Sequence, residues 1–202
     1  MRVGWFESPF NRIDQFGRRT GYAYEYQQII AAYTGWTYEY VEGSWPDLLQ
    51  MLMNGEIDLL SDVSYTEERT EYMLFPKLPM GTEEYYLFVE PGISGYTSGN
   101  YEYFNGKRVG VNKGSVQEGF FDNWLKTYNV QAEIVELTCT AGEAFEMLRQ
   151  GELDGYIALD AYGTTGTAVP EIKIGFGFLL RGQKGSARPA AGTGRSAEQD
   201  PG

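Results

Sequence analysis

Two stretches of this chain run through the same order of events, and that repeat limits the fold more than any other feature. Arg2–Phe6 reads as a short strand, and Tyr22–Tyr33 as a helix whose Tyr22, Tyr26, Ile29, Ile30 and Tyr33 recur at helical spacing as a core face. Thr37–Val41 alternates as a strand, and Trp45–Asn54 is an amphipathic helix with Pro46 in its first turn. Gly55 ends that helix, and Glu56-Ile57-Asp58 leads into a buried strand, Ile57–Leu60. From Lys107 the order restarts: strand Lys107–Val111, helix Val116–Tyr128, strand Ala132–Leu137, helix Ala141–Gln150. Then come Gly151-Glu152-Leu153-Asp154 and the strand Leu153–Ala158. Strand and helix in alternation imply parallel pairing, so two small α/β lobes with a cleft between them are expected. In such sheets ligands bind at the carboxyl ends of the strands.

The strand Tyr85–Val89 is expected to carry the chain out of the first lobe, and the Gly/Ser/Tyr/Asn-rich segment 92–103 reads as a linker or surface loop. This division gives lobe 1 as residues 1–90, lobe 2 as 91–174 and an irregular tail as 175–202. From Gly175 onward apolar residues are few and no period is clear, so that segment reads as disordered.

Composition removes several functions. The chain holds no histidine and one cysteine, Cys139. That excludes His-based zinc sites, a Ser-His-Asp triad, a Cys-His dyad and an intrachain disulfide, and no cofactor is implied. A net charge of −12 repels phosphate backbones and anionic lipid surfaces, so nucleic acid is not an expected partner. No run of about 18 apolar residues is present, and Met1 leads directly into strand-like sequence. Work in the periplasm or outside the cell would require an export signal upstream of this chain.

Several residues could carry binding chemistry. Ser61, Asp62 and Ser64 follow the strand ending at Leu60, with Arg69 one or two turns later. Hydroxyls, backbone N–H groups and a guanidinium fork in that order make a carboxylate receptor; the same residues also fit a capped helix start with a surface arginine. Gly114-Ser115-Val116-Gln117 opens a helix whose free N–H groups suit an anion, or is ordinary capping by Ser115. Asp160, past the strand Leu153–Ala158, is placed to hold an ammonium group or to be a solvated carboxylate. Trp5, Phe6, Phe10 and Trp45 would supply an aromatic wall at the cleft mouth.

Taken together these features resemble the family 3 bacterial extracellular solute-binding proteins, over Arg2 to about Ile174. The resemblance is carried by Val3-Gly4 with Pro9-Phe10, Gly17, Gly21-Tyr22, Gly55-Glu56-Ile57-Asp58, and Thr66-Glu67-Glu68-Arg69 with Phe75-Pro76. Gly106–Val111 with Gly114-Ser115, and Asp154-Gly155, complete it. It implies a type 2 two-lobe fold that closes on a small polar solute, an amino acid in the first place. Arg69 would grip the ligand carboxylate with Ser64 and Ser115, Asp160 would take the α-ammonium, and Ser61, Trp45, Phe6 and Glu7 would line the pocket. Asp62 and Val116 depart from the small residue and the hydroxyl usual at those positions in amino-acid binders. The wording of Gly4–Ser8, Gly21–Tyr26 and Tyr33–Gly43 is similar to sensor domains of bacterial histidine kinases and diguanylate cyclases. The implied partner is therefore a membrane protein: a kinase or cyclase in the same parent chain, or an ABC transporter.

An enzyme on the same fold, such as a dehydratase or murein transglycosylase with Glu7 or Asp62 as acid, is the rival reading, and a binding-dead remnant is a third. The remnant follows from the tail. One permitted codon set for Gly175–Gly202, read one nucleotide later, gives VSDFYFAVKKGRPDLLLELDAALSRIQ, which resembles the strand and helix that follow here in the family. An out-of-frame tail lacking the return crossing is the expectation.

Overall fold

The computed structural model describes residues 1–92, 95–97, 99–165 and 169–184. The first half contains β1 (Arg2–Trp5), the hairpin β2 (Arg12–Ile13) and β3 (Arg19–Thr20), α1 (Tyr22–Thr34), β4 (Glu39–Glu42), α2 (Trp45–Asn54), β5 (Leu59–Ser64) and β6 (Met73–Leu74). After β7 (Gly81–Val89) come β8 (Arg108–Asn112), α3 (Gln117–Tyr128), β9 (Glu133–Leu137), α4 (Ala141–Arg149), β10 (Gly155–Leu159) and β11 (Val169–Lys184). The strands lie in the order β4-β1-β5-β11-β7-β10-β8-β9, with β6 beside β11. β1 is parallel to β4 and β5, and β8 is parallel to β9 and β10, so each half is the parallel α/β unit that its alternation predicts.

The repeated Gly-Glu-apolar-Asp segment has the same physical role in both halves. Gly55 adopts φ 74° and Gly151 φ 73°, the left-handed turn that lets the chain leave a helix without a Cβ clash. Asp58 Oδ2 then accepts from the Arg2 N–H at 2.8 Å, and Asp154 Oδ2 from the Arg108 N–H at 2.9 Å. Each aspartate thus ties the strand it opens to the first strand of its own half. Leu48, Leu52, Ile57, Leu60 and Val63 form the core of the first half; Val109, Val111, Phe121 and Ile157 anchor that of the second.

The halves are joined by β11. Its first part pairs antiparallel with β7 and its last part with β5, and Leu179 faces both Ser64 and Gly81. β7, which precedes the expected boundary at residue 90, pairs with β10 of the second half and with β11. Residue 175, the expected start of the irregular tail, falls inside β11. The return crossing is therefore present over 169–184, while 185–202 lie outside the described residues. The side-chain pattern did not signal it, because this strand is held by backbone hydrogen bonds to neighbours on both edges.

Two further expectations shift. β5 does not stop at Leu60 but runs through Ser64, so Ser61, Asp62 and Ser64 are strand residues. The Tyr22/Ile29/Tyr33 stripe of α1 is not a core face: those residues are 49%, 56% and 89% exposed. The helix sits on the sheet through Ala23 and Gln27, the latter accepting from the Tyr40 hydroxyl at 2.8 Å and donating to Ser61 Oγ. A small residue and a paired polar one allow a closer approach than a row of tyrosines.

Gly21 begins α1 at φ 109°, and a Cβ there would lie 2.4 Å from the Phe10 carbonyl oxygen. Gly119, exposed inside α3, meets nothing within 4 Å. Gly21→Ala is expected to destabilise by about 1–3 kcal/mol and Gly119→Ala to stabilise by about 0.5–1 kcal/mol, read by urea denaturation.

Candidate functional site

A cavity of about 110 Å³ opens where the carboxyl ends of the parallel strands of both halves converge. From the first half it takes Phe6 and Glu7 after β1, Trp45 at the start of α2, and Asp62 and Ser64 from β5. From the second it takes Asn112 at the end of β8, Ser115 and Gln117 at the start of α3, and Tyr156 and Tyr162 around β10. Glu83 and Tyr85 of β7 complete it from the crossing strand.

Asp62 owes its orientation to an irregularity in β5. Two residues of that strand, Ser61 and Asp62, stand against one of β11 between the pairs Leu180↔Val63 and Gly182↔Leu60. Asp62 takes φ 59°, a left-handed conformation that non-glycine residues adopt at a cost. Across the bulge Ser61 faces Gln27 of α1, while Asp62 and Ser64 face the cavity. Asp62 Oδ2 accepts from Ser8 Oγ at 3.2 Å and Asn11 Nδ2 at 3.0 Å, and Oδ1 has no partner. Burial raises the Asp62 carboxyl to about 7, opposed by the Ser8 hydrogen bond and reinforced by the charge of Glu83. Glu83 is likewise pushed up by burial; its Oε2 accepts from the Tyr85 hydroxyl at 2.9 Å, and its Oε1 has no partner. Ser64 Oγ lies 3.3 Å from the same tyrosine hydroxyl.

The expected site residues separate into three groups. Phe6, Glu7, Trp45, Asp62, Ser64 and Ser115 all line the cavity, with Phe10 beside them. Phe6 and Trp45 meet edge to face at 5.5 Å. Ser115 Oγ accepts from the Gln117 N–H at 3.2 Å, so it caps α3 as well as facing the cavity. Arg69 and Val116 instead line a neighbouring groove. Arg69 is 4% exposed, and its fork is engaged: Nη1 donates to the Ser64 carbonyl and Nη2 to the Gly114 carbonyl, each at 2.7 Å. It bridges the Ser64 end of β5 and the Gly114 turn of the second half, its Cζ lying over the Trp45 ring at 6.0 Å from the centroid. Ser61, Trp5 and Asp160 are not at the cavity. Ser61 is held by Gln27, and Trp5 packs in the core against Tyr24 and Tyr40. Asp160 is exposed and accepts from the adjacent Ala161 N–H; it opens the helical turn Asp160–Thr165, which directs its side chain outward while Leu159 and Tyr162 line the cavity.

Glu83 and Tyr85 were missed. The only signal available was a charged residue inside a strand otherwise buried at Tyr85, Leu87 and Phe88, and nothing in its spacing relates it to Asp62.

The Asp62 carboxyl has a folded value near 7 against about 3.9 in an unfolded chain. Its stabilising neutral form is fully present below about pH 4 and is lost as pH rises through about 7, at a cost on the order of 4 kcal/mol. Asp62→Asn is therefore expected to leave the melting temperature little changed at pH 4 and to raise it by several degrees at pH 8. A gap that does not open with pH contradicts the burial.

The model of the bacterial extracellular solute-binding proteins, family 3, matches residues 1–118, more than half of the 202-residue chain. No curated protein sequence matches it. Among solved structures, a histidine kinase sensor domain with similarity to periplasmic binding proteins superposes with a TM-score of 0.74 at 20% identity, covering 91% of this chain and 82% of that one. A variant of arginine-bound ArgBP from T. maritima gives 0.75 at 20%, covering 91% and 87%. The ancestral amino acid-binding protein AncCDT-1, a precursor of cyclohexadienyl dehydratase, gives 0.74 at 22%, covering 93% and 82%. At these identities the likeness concerns the fold, which is that of the type 2 periplasmic binding proteins. The sequence match over the first 118 residues adds the family: the chain belongs to the bacterial extracellular solute-binding proteins, family 3.

Proposed function

We propose that this chain captures a small amine-bearing solute, amino acids being the first class to test, between its two lobes, and works outside the cytoplasm. The observation that carries this reading is the cavity itself. It draws side chains from β5 and α2 on one side and from β8, α3 and β10 on the other, so a bound solute touches both halves and favours their closed arrangement. Likeness to a histidine kinase sensor domain, together with the solute-binding family, supports an output through a membrane partner, by signalling or by delivery to a transporter.

Arg69 serves this reading as a closure latch. Its two carbonyl bonds connect the Ser64 end of β5 to the Gly114 turn of the second half. Lysine has no planar fork to hold both carbonyls at once. Thermal-shift measurement across amino acids and related amines tests the function, since a ligand at 100 times its Kd stabilises by about 2.7 kcal/mol. At least one member is expected to raise the melting temperature by several degrees; no response from any member overturns the reading. Arg69→Ala is expected to weaken all ligands by a similar factor, roughly tenfold or more. A loss confined to ligands with a carboxylate would instead make Arg69 a direct carboxylate grip.

A further inference from the structure

The charges around the cavity narrow what it accepts. Glu7, Asp62 and Glu83 line it, and among the described residues no lysine or arginine does. Asp62 and Glu83 are 9% and 2% exposed, and each retains one buried oxygen without a partner, Oδ1 and Oε1. Their remaining oxygens are held by Ser8, Asn11 and Tyr85, which fixes both carboxyl groups in place. Buried carboxylate oxygens are costly unless a donor, best a charged one, reaches them.

Two features could have favoured an anion, and neither does. Arg69, in the neighbouring groove, has both terminal nitrogens on backbone carbonyls. The α2, α3 and α4 N-termini face the cleft, but the first is capped by Ser44 and carries Asp47, the second has its Gln117 N–H on Ser115 Oγ and carries Glu118, and the third is closed by a Thr140–Glu143 capping box. Acidic first turns offset the positive end of a helix dipole. The aromatic rings of Phe6, Trp45 and Tyr85 in the same lining suit a positive charge.

We propose that the solute is an organic cation whose ammonium or guanidinium group lodges between Asp62 and Glu83 beside the rings of Phe6 and Trp45, and that no ligand carboxylate is required. This rests on reading the cavity as the solute site and names its ligand class. A cation there donates to the two unpartnered oxygens and cancels the repulsion between the carboxylates. A zwitterion would bring its own carboxylate into a lining that already holds three.

Calorimetric titration of the full chain decides it, with four groups of probes: carboxylate-free cations (butylamine, agmatine), cationic amino acids (arginine, lysine), neutral amino acids (alanine, glutamine) and glutamate. Cations without a carboxylate are expected to bind at least as tightly as neutral amino acids, and glutamate not at all. Asp62→Asn and Glu83→Gln are each expected to weaken cation binding about tenfold or more. Both replacements keep shape, and circular dichroism and melting temperature confirm folding; should one fail to fold, the other carries the test. Binding of neutral amino acids or glutamate without any cation overturns the cation assignment but leaves the solute site standing. Cation binding unchanged in both folded variants also overturns it. No binding of any probe overturns the solute site, and the cation assignment with it.

Discussion

The antiparallel ladder that β11 makes with β7 and then with β5 is the constraint on which the rest of the molecule depends. Each parallel α/β half could form its own core, but neither would have a fixed relation to the other without this strand. Leu179 pairs with Ser64 on one side and Gly81 on the other, so the end of β5 and the start of β7 are held beside one strand at the crossing. The cavity opens next to that row, and Ser64 and Glu83 enter it from there. Backbone hydrogen bonds on two edges do not ask for a particular side-chain pattern, which is why a Gly-rich segment can serve.

From that joint the chemistry of the cleft follows. The bulge at Ser61-Asp62 spends backbone strain to turn one carboxylate inward, and the crossing strand contributes a second, Glu83. Arg69, the residue a family resemblance would assign to a ligand carboxylate, is directed to two main-chain carbonyls. The result is a lining with acidic groups, hydroxyls and aromatic rings, and a cation set behind it instead of within it. In the proposed reading binding and closure use different residues: Asp62 and Glu83 for the solute's charge, Arg69 for the contact between the halves.

Much of the fold was legible in the sequence. Helix α2 was bounded correctly by Pro46 and Gly55, because such signals act within one turn. The paired Gly-Glu-apolar-Asp segments marked equivalent points of two halves, and each aspartate does bond the first strand of its half. Six of the ten expected site residues line the cavity: Phe6, Glu7, Trp45 and Ser115 follow strand ends that periodicity located, while Asp62 and Ser64 lie within β5 itself. The failures have a common cause. The α1 stripe, the end of β5, the position of Arg69 and the exposure of Asp160 all depend on what another element brings nearby. A buried Gln27 looks like a surface residue until Ser61 and Tyr40 are placed against it.

By itself the sequence determined the local elements, their order, the doubling of the α/β unit and, with them, the family. Those properties rest on hydrogen bonds and apolar periods spanning a few residues, and such short-range terms are written directly in the chain. Only the tertiary structure decided the polarity of the site. Asp62 and Glu83 lie on β5 and β7, two strands that are not paired with each other but flank β11, and the partner of the Arg69 fork, Gly114, belongs to the other half. Charge–charge and charge–carbonyl contacts between residues far apart in sequence exist only after the halves have closed on a common strand, because the distance between the groups sets their energy and the fold sets the distance.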